Sequence, residues 1–187
     1  METSGSPSPS VRPRAPWGRG ALILVPAAAL VGMLGWATFQ KGGTLEAGDK
    51  APAFSAERLG DDGFLSLAEL KGRPVVLNFW ASWCGPCELE APILNSAHRL
   101  YGKEVAFVGV NIKDSRSDAL EFERDFDVPY SSVRDERGQI YSDYGLTGQP
   151  ETYLIDAEGV VVEHIPGAIG DQAGFLQMLD GLVERNG

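Results

Sequence analysis

The sequence predicts an α/β fold with a central mixed β-sheet flanked by helices, and three observations predict it. Pro74–Trp80 and Val105–Val110 are continuous apolar runs of strand length, each followed by a segment of helical period. That strand–helix–strand–helix order argues a parallel pair joined by a right-handed crossover. Farther on, Thr152–Asp156 and Val160–Glu163 flank Ala157-Glu158-Gly159, the pattern of an antiparallel hairpin.

The elements follow in chain order. Residues 1–20 form a short tail rich in Ser and Pro at its start, without hydrophobic period, and read as disordered. From Ala21 to Phe39 every residue except Thr38 is apolar or glycine and none is charged. This run of about 19 residues makes roughly 28 Å of helix, against a hydrocarbon core of about 30 Å. Three arginines precede it, so the positive-inside bias predicts one N-terminal transmembrane anchor with its N-terminus in the cytoplasm. A cleaved secretory signal is the competing reading, since Gly35-Trp36-Ala37 offers a small-x-small site, and it sends the domain to the same destination.

Residues 40–50, with Gly42, Gly43, Gly48 and Asp49, read as a linker, and residues 51–187 as the folded domain. An N-terminal β-hairpin is expected where Phe54 and Phe64-Leu65 flank Gly60-Asp61-Asp62-Gly63. Ser66-Leu67-Ala68-Glu69 then has the capping-box pattern. In the helix from Glu88 to Leu100, the apolar residues Leu89, Ile93, Ala97 and Leu100 recur at helical spacing. Ala119, Phe122 and Phe126 share a face of the next helix, a loop region follows, and a closing helix from about Gly170 to Glu184 buries Phe175, Leu176, Leu179 and Leu182.

Charge and cysteine usage narrow the function. Arg12, Arg14 and Arg19 face only Glu2 before residue 41, a balance of +2 that leaves −12 on the remainder of a chain whose net charge is −10. So acidic a domain is a poor partner for nucleic acid. The only cysteines are Cys84 and Cys87, too few for a stapled scaffold and half of a zinc site. The two histidines, His98 and His164, lack ligand spacing and read as surface or packing residues, so no metal is expected.

The pair sits at a strand-to-helix junction. Unpaired N–H groups and the positive end of the helix dipole would stabilise a thiolate on Cys84, the expected nucleophile. Cys87, one turn later and expected to be the more buried, is placed to resolve a mixed disulfide. Gly85 would permit a tight turn and Pro86 suits the first helical turn. A structural disulfide is the alternative for such a pair. Trp80 reads equally as a core residue, while Trp83 is expected to cap the site.

Asn78-Phe79-Trp80-Ala81-Ser82-Trp83-Cys84-Gly85-Pro86-Cys87, followed by Glu90 and Pro92, resembles the thioredoxin superfamily, and within it the membrane-tethered TlpA/ResA/DsbE group. A second motif, Gly148-Gln149-Pro150-Glu151-Thr152-Tyr153-Leu154-Ile155-Asp156, looks especially like the DsbE (CcmG) type. The resemblance covers about residues 50 to 185 and implies a thioredoxin fold. It implies that Pro150 is a cis-proline facing the disulfide, with Gln149 and Pro150 offering backbone to an extended substrate. Trp83, Gly85 and Pro86 complete that substrate-facing set, and Glu90 would assist proton movement, the alternative being a solvated helix carboxylate like Glu88. Asn78 departs from cytoplasmic thioredoxins, which carry a buried aspartate there. Pro92 would kink its helix.

The activity so implied is thiol–disulfide exchange with no cofactor beyond the Cys84–Cys87 pair. Its expected substrate is the haem-attachment disulfide of apocytochrome c, or another extracytoplasmic disulfide protein. A membrane thiol transporter of the CcdA/DsbD kind would be the reductant, and a monomer is expected. Gly-Pro between the cysteines leans reducing. An oxidant, a general extracytoplasmic reductant and a tethered, non-enzymatic peptide-binding module are the competing readings.

Overall fold

The computed structural model describes residues 43–186. The expected tail and anchor lie outside these residues, and among the described residues no helix is long and apolar enough to cross a membrane. The described residues form seven strands and four α-helices: β1 (Ser55–Glu57), β2 (Phe64–Ser66), β3 (Val75–Trp80), α1 (Gly85–Tyr101), β4 (Ala106–Ile112), α2 (Arg116–Asp125), β5 (Ser132–Asp135), α3 (Gln139–Asp143), β6 (Glu151–Ile155), β7 (Val161–Pro166) and α4 (Gln172–Asn186).

Five strands form one sheet in the order β5-β4-β3-β6-β7. β3 pairs parallel with β4, and β4 parallel with β5, whereas β6 runs antiparallel to both β3 and β7. The sheet is therefore mixed, with β3 at its centre and every residue from Val75 to Trp80 buried. Alternation along the strands separates two cores. Val76, Phe107 and Leu154 pack with Leu94 and Ala97 of α1 and Phe175, Leu179 and Leu182 of α4. Leu77, Phe79, Val108 and Tyr153 pack with Ala119 and Phe122 of α2 and with Ile140 and Tyr144. β1 and β2 form a separate antiparallel pair, joined to the sheet edge by a bridge between Arg58 and Val133. Residues 44–50, read from sequence as linker, hydrogen-bond along this domain: Gly48 N–H donates to Val161 O at 2.8 Å and Thr44 Oγ1 to Gly145 O at 3.1 Å.

Three local expectations are corrected. The buried face of α1 is Cys87, Glu90, Ala91, Leu94, Asn95 and Ala97, while Leu89 and Leu100 are 76% and 63% exposed. Ala97 and the partly buried Ile93 keep their expected place against the core, whereas the polar Glu90 and Asn95 are turned inward in a way that apolar periodicity alone does not indicate. Ser66 bonds the Glu69 carboxylate at 2.7 Å, side chain to side chain, and caps no backbone N–H of the 3-10 turn Leu67–Leu70. The loop region between residues 127 and 150 contains β5 and α3. α3 is only five residues long, and its start is secured by a side chain outside it: Asp135 accepts from Gln139 N–H and Tyr141 N–H, both at 2.8 Å.

Candidate active site

β3 delivers the cysteine pair. The chain leaves the sheet at Trp80, turns through Ala81-Ser82-Trp83 with Cys84 N–H donating to Ala81 O, and enters α1 with Cys84 as its N-cap residue. Cys84 and Cys87 form a disulfide with Cα atoms 5.3 Å apart, and they are 4% and 2% exposed. Pro86 lies in the first turn, where an N–H would find no intrahelical acceptor. The tight turn expected at Gly85 is not required: a Cβ there would meet open space, and its φ is not left-handed. Trp83 is 58% exposed beside Cys84, whereas Trp80 is buried and stacks on Phe122 at 4.6 Å between centroids. α1 continues through Pro92 to Tyr101.

Glu90 lies one turn beyond Cys87 and is 1% exposed, unlike its solvated neighbour Glu88. Its Oε1 accepts from Asn78 Nδ2 at 2.8 Å and its Oε2 from Ile169 N–H at 2.9 Å. Asn78 also donates to Thr152 Oγ1 at 3.0 Å, so a neutral amide couples β3, α1 and β6. Burial pushes the Glu90 carboxyl up to about 7, against the pull of its two hydrogen bonds. It is thus able to hold or release a proton near neutrality.

The Gln149–Pro150 bond is cis. Phe79 is in register with Glu151, so Pro150 stands at the end of the sheet from which the cysteine turn departs. Gln149 and Pro150 share this end of the molecule with Cys84, Gly85 and Pro86.

Sequence reasoning missed what holds the proline loop. Glu151 is buried, and its Oε1 accepts from Thr147 N–H at 3.0 Å and Gly148 N–H at 2.9 Å. Its Oε2 shares a 2.6 Å hydrogen bond with His164 Nε2. The His164 ring in turn stacks on Tyr153, with centroids 4.3 Å apart and planes inclined by 10°. His164, read as a surface or packing residue, therefore has a specific polar partner. The one signal available in the sequence was the β6–β7 hairpin, whose register sets Tyr153 opposite His164.

Removing Glu151 should loosen this loop. In Glu151→Ala, two backbone donors and His164 lose their acceptor, which is expected to cost about 2–3 kcal/mol. The KM for a disulfide peptide should rise more than kcat falls. Glu151→Gln retains one acceptor oxygen and should recover most of the loss. Denaturant unfolding and peptide exchange kinetics check this.

The AhpC/TSA family pattern matches residues 47–164. The thiol:disulfide interchange protein DsbE of Xylella fastidiosa (strain Temecula1) is 37% identical over 155 residues, covering 82% of this chain and 77% of that protein. The thiol-disulfide oxidoreductase ResA of Bacillus cereus is 32% identical over 130 residues, covering 69% and 75%. A crystal structure of a thiol:disulfide interchange protein of the thioredoxin family from Chlorobium tepidum TLS superposes with a TM-score of 0.64 at 27% identity. It matches 75% of this chain and 99% of that one. A disulfide at the head of a helix, at the same sheet end as a cis-proline, thus stands in a chain whose relatives carry thiol–disulfide names. The chain belongs to the AhpC/TSA family, among its thioredoxin-like DsbE and ResA relatives, and is a thiol–disulfide oxidoreductase.

Proposed function

We propose that this oxidoreductase acts as a reductant outside the cytoplasmic membrane, held there by residues 21–39, and that its substrate is the haem-attachment disulfide of apocytochrome c. The observation that carries the reading is the Cys84–Cys87 disulfide at the N-terminus of α1, with Trp83 exposed beside it. The DsbE names of the relatives and the acidic residue Glu90 one turn behind Cys87 support it.

The chemistry balances without a further cofactor. The Cys84 thiolate attacks one sulfur of the substrate disulfide, forming a mixed disulfide and expelling the other sulfur as a thiolate. The Cys87 thiolate then attacks Cys84 Sγ, forming the intramolecular disulfide and releasing the second substrate thiolate. Two electrons pass to the substrate, and a membrane dithiol of the CcdA/DsbD kind restores the Cys84–Cys87 dithiol. Glu90 accepts the Cys87 proton as that thiol becomes the attacking thiolate. Trp83, Gly85, Pro86, Gln149 and Pro150 form the surface along which the substrate segment lies.

The test uses the full-length Cys87→Ser protein and an oxidised peptide carrying Cys-x-x-Cys-His. The expected result is a stable mixed disulfide on Cys84, together with a native-pair potential near about −270 mV or lower. Absence of the adduct, or a potential near about −120 mV, would overturn the reductant reading, the latter in favour of an oxidant.

A further inference from the structure

The turn that carries Ser82, Trp83 and Cys84 is gripped from outside by a residue that the thiol chemistry does not use. Asp114, just past the end of β4, lies 32 residues away in sequence, yet its Oδ2 accepts from Ser82 N–H at 2.6 Å and its Oδ1 from the Ser82 hydroxyl at 2.9 Å. Its remaining capacity is filled by Asn111 Nδ2 at 2.9 Å on Oδ2 and by Ser115 N–H at 2.9 Å on Oδ1. All four are charge-assisted bonds, stronger than their neutral counterparts. Among the described residues this is the only side chain from elsewhere in the chain that hydrogen-bonds the segment 81–83.

The placement of Asp114 is itself enforced. Lys113 has φ 47°, a left-handed conformation that a β-carbon disfavours. It is held there by Lys113 N–H donating to Asp135 O at 3.2 Å and by its ammonium lying 5.1 Å from the Tyr141 ring centroid. Its aliphatic stem crosses Gly138, where a Cβ would stand 2.6 Å from Lys113 Cε. Strain of this kind persists where the surroundings over-determine it, and here it aims one carboxylate at the cysteine turn. The start of α2 does not account for Asp114, because Ser115 is the N-cap: its Oγ accepts from Asp118 N–H at 3.1 Å.

We propose that Asp114 is a positioning residue for disulfide exchange: by tying Ser82 to the β4–α2 turn, it holds Cys84 in line with a substrate disulfide. The proposal rests on Cys84 being the attacking thiol. Attack on a disulfide is directional, so a loosened turn costs rate even when the thiolate is fully formed, and a misplacement of about 1 Å is worth up to about a hundredfold. Alkylation by iodoacetamide, a small reagent free to approach from many directions, needs only the thiolate and lacks that demand.

The experiment compares these two reactions in the reduced full-length chain, native, Asp114→Ala, Asp114→Asn and Ser82→Ala. In Asp114→Ala, exchange with an oxidised Cys-x-x-Cys peptide is expected to slow about tenfold or more, while alkylation on its high-pH plateau stays within about twofold. Ser82→Ala, which loses one of the four bonds, and Asp114→Asn, which keeps the shape and one acceptor oxygen, should fall between, each about two- to threefold down in exchange. Native exchange rates in Asp114→Ala would overturn the proposal. So would a parallel fall of exchange and alkylation in both Asp114 variants, which marks general damage to the site. Mass mapping that places the alkyl group on Cys87 in the native protein would overturn the nucleophile assignment itself, a failure visible before any variant is made.

Discussion

Cys84→Ser is expected to abolish disulfide exchange, lowering its rate by about a thousandfold or more, because a serine hydroxyl remains protonated where a thiol ionises. Cys87 cannot substitute for it. Cys87 lies within the first turn of α1, behind the N-cap position that Cys84 holds, where the attack it is placed to make is on Cys84 Sγ in the mixed disulfide. The fold should survive the change. The bridge closes a loop of only a few residues, so loop entropy assigns it about 2 kcal/mol in the oxidised protein. Cys84→Ser should therefore unfold near the denaturant midpoint of the reduced native protein. Appreciable exchange by Cys84→Ser, measured as reduction of an oxidised Cys-x-x-Cys peptide, would sink the assignment of Cys84 as nucleophile.

The second large effect concerns Glu90 and pH. Burial lifts its carboxyl from 4.5 to about 7, so between these values the folded protein keeps a proton that the unfolded chain has released. Stability from this group is complete below 4.5 and is lost as pH rises through about 7. Its size is on the order of 3 kcal/mol. Glu123, also raised by burial, contributes with the same sign. Because Glu123 remains in Glu90→Gln, the difference between the native and variant curves isolates Glu90. Denaturant stability measured from about pH 4 to about pH 8 should therefore fall more steeply for the native protein than for Glu90→Gln. The exchange rate of the variant should also lose its inflection near neutrality. Parallel stability curves would show that Glu90 titrates as an ordinary surface carboxylate.

Asn78 explains why Glu90→Gln can be accommodated. The Asn78 amide can rotate to accept from the introduced NH₂ group, while the oxygen of the new side chain still accepts from Ile169 N–H, so the network retains partners at both ends. Glu90→Ala removes both acceptors in a site that water does not reach, and should be the more destabilising change by about 1–3 kcal/mol.

What the sequence determined by itself was local. Cys84 and Cys87 could be placed at a helix N-terminus because an apolar strand run, a turn and a helical segment adjoin one another within one stretch of chain. The same locality made β3, β4 and the β6–β7 hairpin legible. Edge strand β5 escaped notice: it is four residues long and carries Arg134 and Asp135, so it has no apolar run to announce it. The cis state of Pro150 was implied only by the resemblance to a family, since an isolated X–Pro bond favours trans.

Tertiary structure decided which polar groups lie inside. The rotation of α1 on the sheet buries Glu90 and exposes Leu89, and no property of either residue alone foretells that choice. The grip of Asp114 on Ser82 and of Glu151 on His164 joins residues 32 and 13 positions apart, brought together by the parallel pairing of β3 with β4 and the hairpin of β6 with β7. Backbone pattern and propensity act over a few residues. A carboxylate's burial, its proton and its partners depend on sheet register and helix packing, which exist only once the chain has closed on itself.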